Sequence, residues 1–148
     1  LGFVFASALA QFPGYFASAY LEERIGRKWT LIPFLIASGA ATFLFAYSYT
    51  FTWMIVSLVI LSFFNLGGWG TWDIWQPEMY PTELRGTLMG WIGGAQRISN
   101  AIAPSIFGFL LATHAIGFTT IVVLVALSLL ITAVVVYPLP ETRGKILT

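Results

Sequence analysis

Cysteine is absent from the 148 residues, which excludes a disulfide framework, a thiolate metal site and a thiol nucleophile. Histidine occurs once, as His114, so the chain contains no histidine cluster able to hold a metal. Charge is scarce. Only 9% of residues carry it, against about 25% in an ordinary soluble domain, and the net charge is +1. Without a concentrated basic face, nucleic acid is excluded as a partner. Apolar residues make up 58% of the chain, more than a soluble domain of this length can hide in one core. Lipid must therefore be the solvent for most of it. A basic segment ahead of the first apolar run is missing too. The chain opens on Leu1 inside that run, which argues against a signal peptide and suggests an upstream portion.

Crossing a hydrocarbon core of about 30 Å takes roughly 20 apolar residues at 1.5 Å rise. Five stretches qualify: 1–21, 29–47, 51–75, 87–112 and 116–137. The fold expected is an all-α polytopic transmembrane bundle. The breaks at 22–28, 48–50, 76–86 and 113–115 are short and polar, so neighbouring helices run antiparallel. Pro13, Pro33 and Pro104 fall inside spans, where a bundle tolerates them as kinks. Two of the breaks, 48–50 and 113–115, contain no lysine or arginine. Arg24, Arg27 and Lys28 follow the first span, Arg85 the third, and Arg143 and Lys145 the fifth. By the positive-inside rule these charged breaks and the C-terminus are cytoplasmic, in a multi-pass protein of the cell membrane.

The second and fifth spans lack charge, Asn and Gln, and suit a lipid-facing wall. The third and fourth do not. Asn65, Trp69, Trp72 and Asp73 crowd the end of the third among glycines, and Gln96, Arg97, Ser99 and Asn100 sit within the fourth. Gln11, Asn65 and Arg97 each lie ten residues from a cytoplasmic span end, about 15 Å deep, which places them in one layer near the midplane. Such groups either line a polar cavity or hydrogen-bond helix to helix. A midplane guanidinium costs at least about 2.5 kcal/mol on insertion scales, which favours a functional role for Arg97. Trp69 and Trp72 either stack on a ligand or gate the cavity, or else join an interfacial aromatic belt, to which Trp75 belongs more readily. Ala6, Ala10, Gly14 and Ser18 form a small-residue stripe, and Gly90 with Gly94 forms a GxxxG pair; both suit close helix packing. At the start of the fourth span Thr82 can act as cap. Arg85 is misplaced beside the positive end of that helix and calls for an acidic partner, for which Glu78 is the candidate.

Three charged segments remain: Gly26-Arg27-Lys28, Pro77-Glu78 through Arg85-Gly86, and Pro140-Glu141-Thr142-Arg143-Gly144. In order and position they resemble the G-R-R/K, P-E-x-x-P-x-x-x-R-G and P-E-T-K/R-G motifs of the Major Facilitator Superfamily, in the group of sugar porters and organic-ion and nicotinate transporters. The resemblance covers essentially the whole chain as helices eight to twelve, most of the C-terminal six-helix half, with the N-terminal half missing. It implies a secondary active transporter working by alternating access on a small organic solute, with coupling to protons left open. No cofactor is implied.

By that resemblance, Arg27, Glu78 and Arg85 belong to a cytoplasmic charge network that latches the two halves of the transporter, and Glu141 and Arg143 either join it or only solvate the tail. The candidate substrate-binding residues are Gln11, Asn65, Trp69, Arg97 and Asn100. Sugar porters carry a G-P-x-x-W stretch in helix ten, whereas residues 67–73 here lack the proline. Arg97 followed by Pro104 looks more like the organic-ion and aromatic-acid branches, and an arginine at that depth suits a carboxylate. An organic anion or aromatic acid is therefore the expected cargo, with sugar as the alternative. An intramembrane enzyme is disfavoured, because Asp73 lies near a span end and no GxGD, HExxH or serine–histidine set is present. A channel subunit would need a polar stripe along a whole helix, which none of the spans has.

Overall fold

The computed structural model describes residues 2–113 and 116–144. Leu1, His114 and Lys145, and with them part of the expected break at 113–115, lie outside the described residues. The described chain is helical throughout: α1 (Gly2–Ile25), α2 (Arg27–Ala46), α3 (Phe51–Glu78), α4 (Thr82–Ala112) and α5 (Phe118–Val136).

Each apolar stretch falls on a helix, but the charged ends extend further than hydropathy indicates. α1 continues through Glu22, Glu23 and Arg24, and α2 already begins at Arg27, so Gly26 alone separates them. The break expected at 76–86 contracts to 79–81, with Pro77 inside α3. Hydropathy marks where lipid contact would stop. Backbone hydrogen bonding continues past that point, because Glu, Arg and Lys are good helix formers.

α2, α3 and α5 are long and apolar enough to cross a membrane. α1 and α4 reach spanning length, about 36 Å and 46 Å at 1.5 Å per residue, yet are less apolar. Gln11 with the Gly, Ser, Pro and Tyr residues of α1, and the Gln96–Asn100 cluster in α4, account for that.

α3 packs along both α1 and α2, and α2 packs along α5. This corrects the expectation that the second span faces lipid. Among the described helices α2 is the central one, burying Leu31, Phe34, Ser38, Gly39, Ala41 and Thr42. A helix wrapped by apolar neighbours and a helix wrapped by lipid have the same composition, so hydropathy cannot separate them. Hydroxyls on its buried face bond back to the helix: Ser38 Oγ to the Phe34 carbonyl and Thr42 Oγ1 to the Ser38 carbonyl, both at 2.7 Å. Thr30 Oγ1 does the same with the Gly26 carbonyl at 2.8 Å.

The close approach of α1 to α3 depends on glycine. A Cβ on Gly14 would collide with the Phe63 carbonyl, and one on Gly67 would collide with the Phe34 ring and lie 2.8 Å from the Gly14 carbonyl. Phe34, Phe63 and Phe64 fill the space beside this contact, with Phe63 and Phe64 edge-to-face at 5.0 Å. The stripe read in α1 thus packs at Gly14 and at Ser18, which is 1% exposed. The Gly90/Gly94 pair of α4 does not: a Cβ at either position would meet nothing within 4 Å. α4 buries no residue and shares no extended interface with the other four helices.

Candidate functional site

Two places gather polar side chains: the charged end of the bundle and a groove beside α3. At the charged end, Gly26 takes φ 103° and ψ 166° and begins α2 without a side-chain cap of its own. The cap comes from the far end of the chain. The Glu141 carboxylate accepts the backbone N–H of Arg27 at 3.1 Å and of Lys28 at 3.0 Å. A carboxylate there satisfies two of the orphan donors at the start of α2 and complements its dipole. The same Glu141 Oε1 accepts the N–H groups of Thr142 and Arg143, which curls the tail around the carboxylate.

Glu78, at the end of α3, holds the second junction. Arg27 Nη2 donates to its Oε1 at 2.9 Å, forming the ion pair among the described residues. Thr142 Oγ1 donates to the other oxygen at 2.6 Å. Both partners are mostly enclosed, at 24% and 17% side-chain exposure, so solvent screens the pair less than one on an open surface. One carboxylate thus ties α2, α3 and the tail together. Arg143 Nη1 donates to the Arg24 carbonyl at 2.5 Å and fastens the tail to α1. Lys28 sits over the rings of Trp29 and Tyr137, at 5.5 Å and 5.0 Å.

Arg85 stands apart from this cluster. It does not pair with Glu78, as the sequence suggested; Arg27 and Thr142 are the Glu78 partners. Arg85 Nη2 instead reaches the Tyr80 carbonyl at 3.3 Å. Thr82 is not a cap either: it is the first helical residue of α4, and Pro81 in the cap position offers no side-chain bond.

Sequence reasoning missed Glu22, Thr71 and Thr142. Glu22 is 4% exposed. Burial raises its carboxyl from the ordinary carboxylate value, the Thr71 hydroxyl and the Arg27 charge nearby oppose the rise, and Glu78 adds to it. Its position one turn before Gly26 was the available signal, since the tight turn there folds that turn of α1 against α3.

The groove lies between α2, α3 and α5 and encloses about 320 Å³. Asn65, Trp69 and Trp72 line it from α3, Ser38 from α2 and Thr132 from α5, and the remaining wall is largely apolar. Of the candidate binding residues, Asn65 and Trp69 meet here. Gln11, half-buried on α1, and Arg97 and Asn100, exposed on α4, line no part of it. Trp75 is the reverse of an interfacial belt residue: it is fully buried, edge-to-face with Trp72 at 6.4 Å and packed with Leu31 and Val136.

The model of the Major Facilitator Superfamily matches residues 1–147. The chain belongs to that superfamily. It is 37% identical over 146 residues, 98% of its length, to the niacin transporter NiaP of Acinetobacter baylyi, and 37% identical over 129 residues to NiaP of Bacillus subtilis. It is also 29% identical over 144 residues to human synaptic vesicle glycoprotein 2C. The chain spans about a third of the length of the NiaP relatives, 33% and 32%, and 19% of the synaptic vesicle protein.

Proposed function

We propose that this superfamily member forms part of a secondary transporter that moves a small aromatic acid, of the nicotinate kind, by alternating access. In this reading all five helices cross the membrane as helices eight to twelve, and the charged end faces the cytoplasm of a cell-membrane protein. The observation that carries the mechanism is the junction at Glu78, where Arg27 and Thr142 converge from α2 and the tail on the end of α3. Several part-enclosed bonds at one face of a bundle form a unit that can break together. A conformational equilibrium is moved by differences of a few kcal/mol, and such a unit supplies that scale where a lone exposed ion pair would not. Arg27, Glu78, Glu141 and Arg143 act in the latch, and Arg85 serves at its edge.

The cargo class follows from the likeness to NiaP and from the placement of α4. A helix without an extended helix interface and carrying Gln96, Arg97 and Asn100 suits a wall facing a polar path, with Arg97 available to a carboxylate. Asn65 and Trp69 offer an amide and a ring face in the groove between α2, α3 and α5, a second set of contacts apart from Gln11 and Arg97. Sugar is the second reading, disfavoured by the absence of proline in 67–73. Equilibrium binding to the purified full-length polypeptide tests the choice. Nicotinate displaced by benzoate but not by hexoses supports the proposal, and hexose binding with no response to nicotinate overturns it.

A further inference from the structure

Glu22 takes no part in the latch bonds described above, yet it is buried beside them. It is 4% exposed, and its Oε1 has no hydrogen-bond partner among the described residues. The charged groups facing it are Arg27 from α2 and Glu78 from α3, with the Thr71 hydroxyl of α3 as its polar neighbour. Among the described residues, the other cations of this end are engaged elsewhere. Arg24 lies over the Tyr20 ring and Lys28 over Trp29 and Tyr137, while Arg143 bonds the Arg24 carbonyl and Arg85 the Tyr80 carbonyl. Glu141 has its own donors in the backbone of α2 and the tail.

The charges therefore do not balance if Glu22 is ionised. One guanidinium, Arg27, would face two carboxylates, and Glu78 already holds it at 2.9 Å. A buried charge without a partner is costly, and a carboxyl in that position relieves the cost by taking up a proton. We propose that Glu22 is a proton-binding site inside the latch, protonated when the helix ends are packed together and ionised when they part. The ligand is a proton from the water at that face, bound on the Glu22 carboxylate. This deepens the transporter reading and rests on it for the meaning of the latch, but not for the existence of the site.

The sign of the pH effect follows. The packed state holds the proton more tightly than a state in which Glu22 is hydrated, consistent with the raised carboxyl. Between the ordinary carboxylate range and that raised value, the packed state binds more protons, so its stability falls as pH rises across this window. Below the window the latch is at full strength. Above it, Glu22 carries charge, competes with Glu78 for Arg27 and favours opening.

Infrared titration of the reconstituted full-length protein tests this without any substrate. The carbonyl stretch of a protonated carboxyl should persist above the ordinary carboxylate range and vanish in Glu22→Gln, which keeps the shape and the neutral state. Spin labels at Glu23→Cys and Pro140→Cys, both exposed, should move apart as pH rises through that midpoint and stay close at every pH in Glu22→Gln. In Glu78→Gln, which removes the neighbouring negative charge and frees Arg27 for Glu22, the midpoint should move lower, an arm that holds even if Glu22→Gln fails to fold. A band titrating in the ordinary carboxylate range, or label separation with the same pH dependence in Glu22→Gln, overturns the proposal. Failure to transport nicotinate would refute the cargo and leave these readouts standing.

Discussion

Replacing Gly26 by alanine attacks the charged end at its narrowest point. The residue sits at φ 103° and ψ 166°, a region essentially reserved for glycine, and holding alanine there costs about 1–3 kcal/mol. The new Cβ would also stand 2.7 Å from Glu141 Oε2 and 2.8 Å from its Cδ. The Glu141 side chain must then withdraw, which removes the carboxylate cap from the Arg27 and Lys28 amides and adds about 1–2 kcal/mol. The expected loss is therefore about 2–5 kcal/mol, large against the marginal stability of a folded domain. Reversible unfolding of the full-length protein in mixed micelles measures it. Gly90→Ala is the matched control, because that glycine is helical with nothing within 4 Å of its missing Cβ. It should leave stability unchanged or raise it by about 0.5–1 kcal/mol. A Gly26→Ala protein within about 0.5 kcal/mol of the parent would refute the assignment of Glu141 as the cap of α2.

Glu78→Gln should change transport rate while intrinsic binding stays near normal, and the swapped pair Arg27→Glu with Glu78→Arg should recover part of that rate in a flux assay. The pair Glu78→Arg with Arg85→Glu should recover none, because Arg85 bonds the Tyr80 carbonyl rather than Glu78. Gly67→Ala should destabilise the α1–α3 contact by about 1–3 kcal/mol through collision with Phe34, read as a drop in unfolding midpoint. Arg97→Gln should weaken binding of an anionic substrate at least about tenfold, the loss of a charge-assisted bond worth ~1.5–3 kcal/mol, while insertion into membranes stays intact. Unaltered affinity would remove Arg97 from the site.

The helices themselves were legible because an apolar run of about 20 residues has few alternatives in lipid. Their ends were less so. Glu22 to Arg24 extend α1 and Thr82 to Gly86 open α4, since polar residues end lipid contact without ending a helix. The composition of the charged cluster was readable from its motifs, but its pairing was not. Glu141 caps α2 from 114 residues away, and Thr142 reaches Glu78 across 64 residues, distances at which local spacing carries no information. Arg85 was assigned to Glu78 by proximity in sequence, and the nearer rival in space was Arg27. Trp75 illustrates the opposite error. Tryptophan near a span end suggests an interface, yet the packing of α3 along α2 holds it inside, against Leu31 and Val136. The even depth of Gln11, Asn65 and Arg97 was a count along three helices and did not encode their rotation. Rotation of α3 puts Asn65 in the groove with Trp69, while Gln11 and Arg97 lie on α1 and α4, which do not border it.

Counterflow in proteoliposomes holding the full-length polypeptide tests the central claim most directly. Vesicles loaded with unlabelled nicotinate should take up labelled nicotinate from outside transiently above equilibrium, and the uptake rate should saturate with external concentration. Both follow if a single site is exposed alternately to each side of the membrane. Uptake that rises linearly with concentration and gains nothing from nicotinate inside would contradict the account and indicate a pore.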